Sequence, residues 1–93
     1  MALNVEWDGA KAQANLKKHN VSFEDATTIF EDPFSITRED TLHSNEEDRF
    51  LTIGYSQNQQ LLIVAYTYRG NNIRIISART ATKRERKSYE QGI

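Results

Sequence analysis

Apolar residues recur with helical spacing in the first third of the chain, between polar residues that suit helix ends. The spacing predicts a first helix over residues 8 to 19, with Asp8 as its N-cap. Asn20 would end the helix in the left-handed backbone conformation. A second helix begins after Ser22, because an apolar stripe with helical spacing follows it, and Pro33 ends that helix. The N-terminal part of the chain is therefore predicted to form two helices.

Alternation of apolar and polar residues replaces the helical spacing after Pro33 and predicts strands. The first is a short edge strand over residues 34 to 37. The next three cover about residues 49–56, 61–68 and 73–79. Their short connections, QNQQ and RGNN, favour an antiparallel meander.

A final helix follows the strands. Thr82 and Glu85 form a T-x-x-E capping box that begins it, and Gly92 closes it after the segment KRERKSYEQ. The predicted order is ααββββα, an α+β fold with two N-terminal helices, a four-stranded, mainly antiparallel sheet and a C-terminal helix. With 93 residues, the chain is predicted to be a single domain over residues 1–93.

The two faces of the predicted meander differ in character. Two-residue turns at residues 58–59 and 70–71 would place Tyr68 opposite both Arg49 and Ile73. The face expected to form the core then carries Leu51, Ile53, Tyr55, Leu62, Val64, Tyr66, Ile73 and Ile75. The other face, a candidate surface for a partner or RNA, carries Phe50, Thr52, Ile63, Ala65, Thr67, Arg74 and Ile76. A slip of one residue would exchange these assignments.

Charge is divided unevenly along the chain, although the net charge is only −1. Residues 1–68 contain five Lys and Arg against eleven Asp and Glu, whereas residues 69–93 contain seven against two. The basic C-terminal segment could therefore contact a polyanion, or it could be an ordinary solvated helix face. The longest apolar run, LLIVAY, is too short to span a bilayer and the N-terminus has no cationic start, so a cytoplasmic protein without membrane contact is expected.

The residue types exclude several kinds of chemistry. The absence of cysteine removes thiol nucleophiles and zinc knuckles, and no glycine-rich phosphate loop, HExxH or metal-ligand spacing is present. No metal or other cofactor is therefore expected. The remaining Arg, Tyr, Lys and carboxylate groups suit cleavage of RNA, whose own 2′-hydroxyl is the nucleophile. Arginine would bind the phosphate, and a different group must move protons because arginine stays protonated.

Three segments together resemble the BrnT family of bacterial type II toxin–antitoxin toxins. They are WDGAKAQANLKKHNVSFEDA (7–26), HSNEEDRFLTIG (43–54) and RIISARTATKRERKSYE (74–90), in this order. The resemblance implies a RelE-like ribonuclease fold and inhibition of translation through RNA cleavage. It also implies neutralisation by a BrnA antitoxin, which is a ribbon-helix-helix dimer. The toxin would contact promoter DNA only through this antitoxin.

The resemblance also indicates candidate site residues. His19 takes the K-H position after the first helix, Glu47 and Arg49 form the E-x-R, and Arg79 with Glu85 matches S-A-R…E. We assign phosphate binding to Arg49 and Arg79, and proton acceptance to Glu47 or His19. The RNA strand would be guided by Tyr68, Arg74, Lys83 and Arg84. A strict meander places Arg49 and Arg79 at opposite ends of the sheet.

Two other functions fit the same residues. The chain could be a binding module whose basic C-terminal helix docks an acidic partner, in which case the purified protein would leave RNA intact. It could also be a degenerate toxin that keeps the fold and the antitoxin site without activity.

Overall fold

The computed structural model of the chain describes residues 4–43 and 47–92. The helices are α1 (Gly9–His19), α2 (Phe23–Ala26) and α3 (Lys83–Glu90), with 3₁₀ segments at Thr27–Glu31 and Thr41–His43. The strands are β1 (Asn4–Glu6), β2 (Ile36–Glu39), β3 (Arg49–Tyr55), β4 (Leu61–Arg69) and β5 (Asn72–Thr80). In the described residues they form one sheet in the order β1-β5-β4-β3-β2.

The α+β class is as predicted, but the sheet formed by the described residues has five strands rather than four. The additional strand, β1, has three residues and pairs in parallel with β5. Its pattern is too short to show alternation, and its pairing partner lies about 68 residues further along the chain, beyond the reach of local signals. The parallel pairing places the N-terminal segment at one edge of the sheet, directly before α1.

The helix ends follow the predicted capping residues. The Asp8 carboxylate accepts a hydrogen bond from the Lys11 N–H at 3.1 Å. Asn20, at φ 57°, ends α1 in the left-handed conformation, and its N–H donates to the Leu16 carbonyl at 2.9 Å. Ser22 likewise caps α2 by accepting from the Asp25 N–H at 3.0 Å. The predicted first-helix boundaries are therefore correct to within one residue.

The second helix is shorter than predicted and changes type. It is α-helical only to Ala26 and then continues as a 3₁₀ helix. At this point the hydroxyl of Thr27 donates to the Glu24 carbonyl at 2.9 Å, and that of Thr28 to the Asp25 carbonyl at 2.6 Å. Such side-chain bonds compete with regular helical bonding, and β-branched residues are weak helix formers.

The hydrophobic core lies between α1, α2 and one side of the sheet, which we call the helix-covered face. Phe23, Ala26 and Ile29 are fully buried. They share a cluster with the sheet residues Leu62, Val64, Tyr66, Ile73, Ile75 and Ala78. The opposite side of the sheet, which we call the open face, carries none of this cluster.

The predicted register of β3 against β4 is wrong by one residue. Arg49 lies opposite Thr67, not Tyr68. The hairpin has a three-residue loop with Gln59 at φ 62°, closed by a bond from the Ser56 N–H to the Gln60 carbonyl, instead of a two-residue turn. The slip turns Phe50, Thr52 and Gly54 towards the helices and Leu51, Ile53 and Tyr55 towards the open face.

The pairing of β4 with β5 is correct near the turn and then changes. Gly70, at φ 57°, makes the predicted two-residue turn, and Tyr68 lies opposite Ile73. Further along, Tyr66 pairs with Ile75 but Ala65 pairs with Ser77, so Ile76 is an extra residue in a β-bulge. A bulge reverses the alternation of the residues after it. Arg79 consequently lies on the open face, as does Arg74 before the bulge.

None of the helices in the described ranges is long and apolar enough to cross a membrane.

Candidate functional site

The open face is rich in arginine. Strand pairing places arginine side chains from four strands on it, namely Arg38, Arg49, Arg69, Arg74 and Arg79. Three of them, Arg49, Arg74 and Arg79, are candidate site residues that the sequence identified, whereas Arg69 is not. Arg38 was missed, although its spacing of two from Ile36 on the same strand places both residues on one face. A concentration of guanidinium groups on one face is typical of a phosphate-binding surface.

Arg49 and Arg74 lie in one row across three strands. Both are opposite Thr67 on the central strand β4, one on each side of it. Neighbouring strands are about 4.8 Å apart, which places the two arginine backbones about 10 Å from each other. The Thr67 hydroxyl between them donates to the Asp48 carbonyl at 2.6 Å, which holds the segment that leads into β3.

Arg74 is held at the edge of the open face by a carboxylate. Its Nη1 donates to an oxygen of Glu6 at 2.8 Å, and Asn72 donates to the other oxygen at 3.0 Å. The hydrogen bond from Asn72, and then that from Arg74, lower the pKa of Glu6 below its ordinary value. Strand β1 therefore supplies a group that fixes the direction of the Arg74 guanidinium.

Arg79 forms a bidentate ion pair with Glu85. Its two terminal nitrogens donate to the two carboxylate oxygens at 2.8 and 2.9 Å. Glu85 also accepts the Thr82 N–H at 2.8 Å in the predicted capping box. The bonds from Arg79, together with that from Thr82, lower the pKa of Glu85 to about 2 against the effect of its burial, and the pair raises the pKa of Arg79.

The two arginines assigned to phosphate binding share a face but lie far apart along the sheet. Arg49 and Ile53 lie four residues apart on β3. Ile53 pairs with Ile63 on β4, and Ile63 pairs with Arg79 on β5. At about 3.3 Å per residue and 4.8 Å per strand, their backbones are about 16 Å apart. Because Glu85 holds the Arg79 guanidinium beside α3, the two arginines occupy separate positions on the open face.

A groove of about 220 Å³ lies between the open face and α3. Its sheet side is formed by four aliphatic residues, Ile36, Leu51, Ile53 and Ile63. Its remaining lining is formed by Arg38, Arg84, Glu85 and Ser88. The sequence did not predict this groove, because the expected register turned Leu51 and Ile53 to the helix-covered face.

Helix α3 is attached by polar side chains and buries none of its own residues. The Tyr89 hydroxyl donates to Asp32 at 2.5 Å, and Arg86 donates to the Tyr55 hydroxyl at 3.0 Å. The rings of Tyr55 and Tyr89 meet edge to face, with centroids 5.4 Å apart. Burial and then the Asp32 bond raise the pKa of Tyr89 to about 12. These contacts keep α3 over one end of the open face.

Tyr68 lies on the helix-covered side rather than with the arginines. It is 53% exposed and stacks edge to face on Phe50 and Tyr66, with centroids 5.5 and 5.9 Å apart. Burial raises the pKa of the Tyr68 hydroxyl above its ordinary value. Together with Glu47 and Asp48 it lines a small cleft at the Arg49 end of the sheet. The sheet therefore separates the Tyr68 ring from the Arg49 side chain.

The other predicted residues are distributed over the molecule. His19 ends α1, whose buried Asn15 bonds to Ala78 on the helix-covered face, so the sheet lies between α1 and the arginines. Lys83 and Arg84 begin α3, and both are exposed. Within residues 4–43 and 47–92, no cluster of three or more His, Cys, Asp or Glu residues could hold a metal ion.

These features define a small α+β domain with an arginine-rich open sheet face, and comparison with a solved structure agrees with the fold. The fold is similar to the 1.1 Å crystal structure of the Brucella abortus ribonuclease toxin BrnT, with a TM-score of 0.67 and 21% identity. The similarity covers 88% of this chain and 100% of that one.

The family is identified by a match of the amino-acid sequence. Residues 7–85 match the family described as "Ribonuclease toxin, BrnT, of type II toxin-antitoxin system", and the chain belongs to this family. A type II toxin has an antitoxin as its partner, and a ribonuclease has RNA as its substrate. None of the curated proteins matches the chain.

Proposed function

We propose that this protein is a RelE-like endoribonuclease toxin of the cytoplasm, which cleaves RNA without a metal ion and so inhibits translation. A BrnA-type antitoxin, a ribbon-helix-helix dimer, would neutralise it. The proposal is supported by membership of the BrnT family. The observation that carries it is the arginine row on the open face, where Arg49 and Arg74 lie on either side of Thr67.

The reaction follows from the chemistry of RNA. The 2′-oxygen attacks the adjacent phosphorus while the bond from phosphorus to the 5′-oxygen breaks. The products are a 2′,3′-cyclic phosphate and a 5′-hydroxyl end, so the proton lost by the 2′-hydroxyl must be accepted and one must be given to the leaving oxygen. Arg49 would bind the phosphate as negative charge develops, with Arg74 holding the neighbouring phosphate.

Of the two predicted proton acceptors, Glu47 is favoured by position. It precedes Arg49 by two residues, and the cleft that it lines also contains Thr67, the residue opposite Arg49 on the open face. His19 belongs to a helix on the other side of the sheet. We therefore propose Glu47 as the general base for the 2′-hydroxyl.

Arg79 would bind the RNA backbone away from the cleaved bond. Both terminal nitrogens of Arg79 already donate hydrogen bonds to Glu85, and 41% of the Arg79 side chain remains exposed. Arg84 and Lys83 on α3 would continue the basic track beyond it, and Tyr68 would stack on a base at the far rim.

The decisive experiment is cleavage of a labelled single-stranded RNA by the purified protein in excess EDTA. We expect cleavage to continue under these conditions and to end in a 2′,3′-cyclic phosphate. A substrate with 2′-deoxyribose at the cleaved position should resist. Loss of activity in EDTA, or equal cleavage of the deoxy substrate, would refute the proposed chemistry.

Variants test the assigned roles. Arg49→Ala and Glu47→Gln should each lower the cleavage rate by about 10²-fold or more, as is usual for loss of a transition-state contact or a general base. Lys17→Ala is the matched control, because Lys17 is exposed on α1, away from the open face. If the folded parent protein leaves RNA intact, the chain acts instead as a binding module or a degenerate toxin.

A further inference from the structure

The groove between the open face and α3 has the wrong chemistry for an RNA strand. Its sheet side consists of Ile36, Leu51, Ile53 and Ile63, which present aliphatic carbons from three strands. Single-stranded RNA is bound by stacking its bases on aromatic side chains and by pairing its phosphates with cations. An aliphatic floor provides neither contact, so the groove fits an apolar side chain better than a nucleotide.

The rim of the groove adds a charge preference. Arg38 on β2 and Arg84 on α3 line it and are both exposed. Within residues 4–43 and 47–92, neither of them forms an ion pair. The carboxylate that also lines the groove, Glu85, is already engaged by Arg79. The rim is therefore positive, and it complements carboxylates on an incoming chain.

The size and the edge of the groove fit a polypeptide segment. A cavity of about 150 Å³ holds a benzene ring, so a groove of about 220 Å³ can take one large apolar side chain. Strand β2 is the last strand of the sheet among the described residues, and its outer edge pairs with no other strand there. An extended segment added to that edge would direct alternate side chains towards Ile36 and Arg38.

We propose that this groove is the docking site for an acidic, amphipathic segment of the antitoxin. The segment would place an apolar side chain on the aliphatic floor and carboxylates on Arg38 and Arg84. This inference rests on the proposed toxin function for its partner. Bound there, the segment would lie next to Arg79 and would exclude an RNA strand from that end of the open face.

Filling the groove tests the proposal directly. Ser88 lines the groove and is exposed on α3, so Ser88→Trp would occupy the space without breaking a side-chain bond among the described residues. Lys87→Trp, on the neighbouring exposed position outside the groove, is the matched control. By calorimetry with the purified cognate antitoxin, Ser88→Trp should weaken binding at least about tenfold and Lys87→Trp less than about twofold.

The charge of the rim is tested separately. Arg38→Glu should weaken binding by at least about tenfold, whereas Lys17→Glu on the helix-covered side should change it less than about twofold. Thermal melting of each variant shows that it is folded. If folded Ser88→Trp and Arg38→Glu bind the antitoxin as tightly as the parent protein, the groove is not the docking site.

A third measurement does not depend on a destabilising change. The chain contains no cysteine, so Ser88→Cys introduces a single thiol at the groove. Saturating antitoxin should slow its reaction with a maleimide at least about tenfold, whereas the same thiol at Lys17→Cys should stay reactive. Protection by single-stranded RNA but not by antitoxin would overturn the proposal. RNA cleavage by the unbound parent protein is measured in parallel, and its absence would refute the ribonuclease function without altering the docking result.

Discussion

The ion pair between Arg79 and Glu85 leads to a quantitative prediction of how much this pair contributes to the stability of the protein. It joins the last residues of β5 to the first turn of α3, and its carboxylate also caps that helix. Glu85→Gln removes the charge but keeps the shape and one acceptor oxygen. We therefore expect the variant to fold, and to lose the charge together with the hydrogen bond that the second carboxylate oxygen accepts from Arg79.

The expected loss can be worked from the pKa. The pKa of Glu85 falls from 4.5 to about 2, and about 1.4 kcal/mol per pKa unit would give about 3 kcal/mol. The two side chains are 32% and 41% exposed, so solvent screens the pair. We expect Glu85→Gln to lower the free energy of unfolding by about 1 to 2 kcal/mol at pH 7, or about 4 to 16 °C in melting temperature.

The sign of the pH dependence is fixed by the same shift. Because the pKa in the folded state lies below that of the unfolded chain, the contribution is complete above pH 4.5 and is lost as the pH falls through about 2. We therefore expect the difference in the free energy of unfolding between the parent protein and Glu85→Gln to be about half as large at pH 3 as at pH 7. Urea unfolding followed by circular dichroism measures this difference.

The matched control for Glu85→Gln is a second charge-removing substitution on α3. Glu90→Gln changes an exposed carboxylate on the same helix and should stay within about 0.5 kcal/mol of the parent protein. Hydrogen exchange of α3 amides shows whether the loss is local to the helix or global. If Glu85→Gln matches Glu90→Gln at pH 7 in both measurements, the ion pair does not hold α3.

Three further predictions concern packing and the attachment of α3. Asn15→Ala should cost about 2 to 4 kcal/mol in urea unfolding, because the buried amide makes three hydrogen bonds to backbone groups. Gly54→Ala should cost about 1 to 3 kcal/mol in the same assay, since its new Cβ would lie 3.2 Å from the Ile29 carbonyl oxygen. The pKa of Tyr89 is raised to about 12 by burial and the Asp32 bond, so Asp32→Asn should lower it in an ultraviolet titration; an unchanged pKa would refute that cause.

The parts of the fold that the sequence predicts well depend on local interactions. The caps at Asp8, Asn20, Ser22 and Thr82 all bond to groups within four residues of themselves. Such contacts form whatever the rest of the chain does, and a single sequence is enough to recognise them. The two-residue turn at Gly70 is predicted for the same reason.

The parts that the sequence misses depend on distant partners or on single extra residues. Strand β1 exists because β5 pairs with it, and its three residues contain no periodicity. The left-handed Gln59 lengthens one hairpin loop by a residue, although a glycine or asparagine would be the usual signal for that conformation. The bulge at Ile76 has no turn residue to indicate it.

These two irregularities decide which residues form the candidate site. The loop at Gln59 turns Leu51 and Ile53 outwards, which creates the aliphatic floor of the groove. The bulge at Ile76 turns Arg79 outwards, which brings it to the same face as Arg49. Without the longer loop the groove would lose Leu51 and Ile53 from its floor, and without the bulge Arg79 would point into the helix-covered core. The arginines and the apolar residues of the open face are therefore brought together by two one-residue shifts, one in each hairpin. A motif alone can list such residues, but only the register shows which of them one RNA strand or one antitoxin segment can reach.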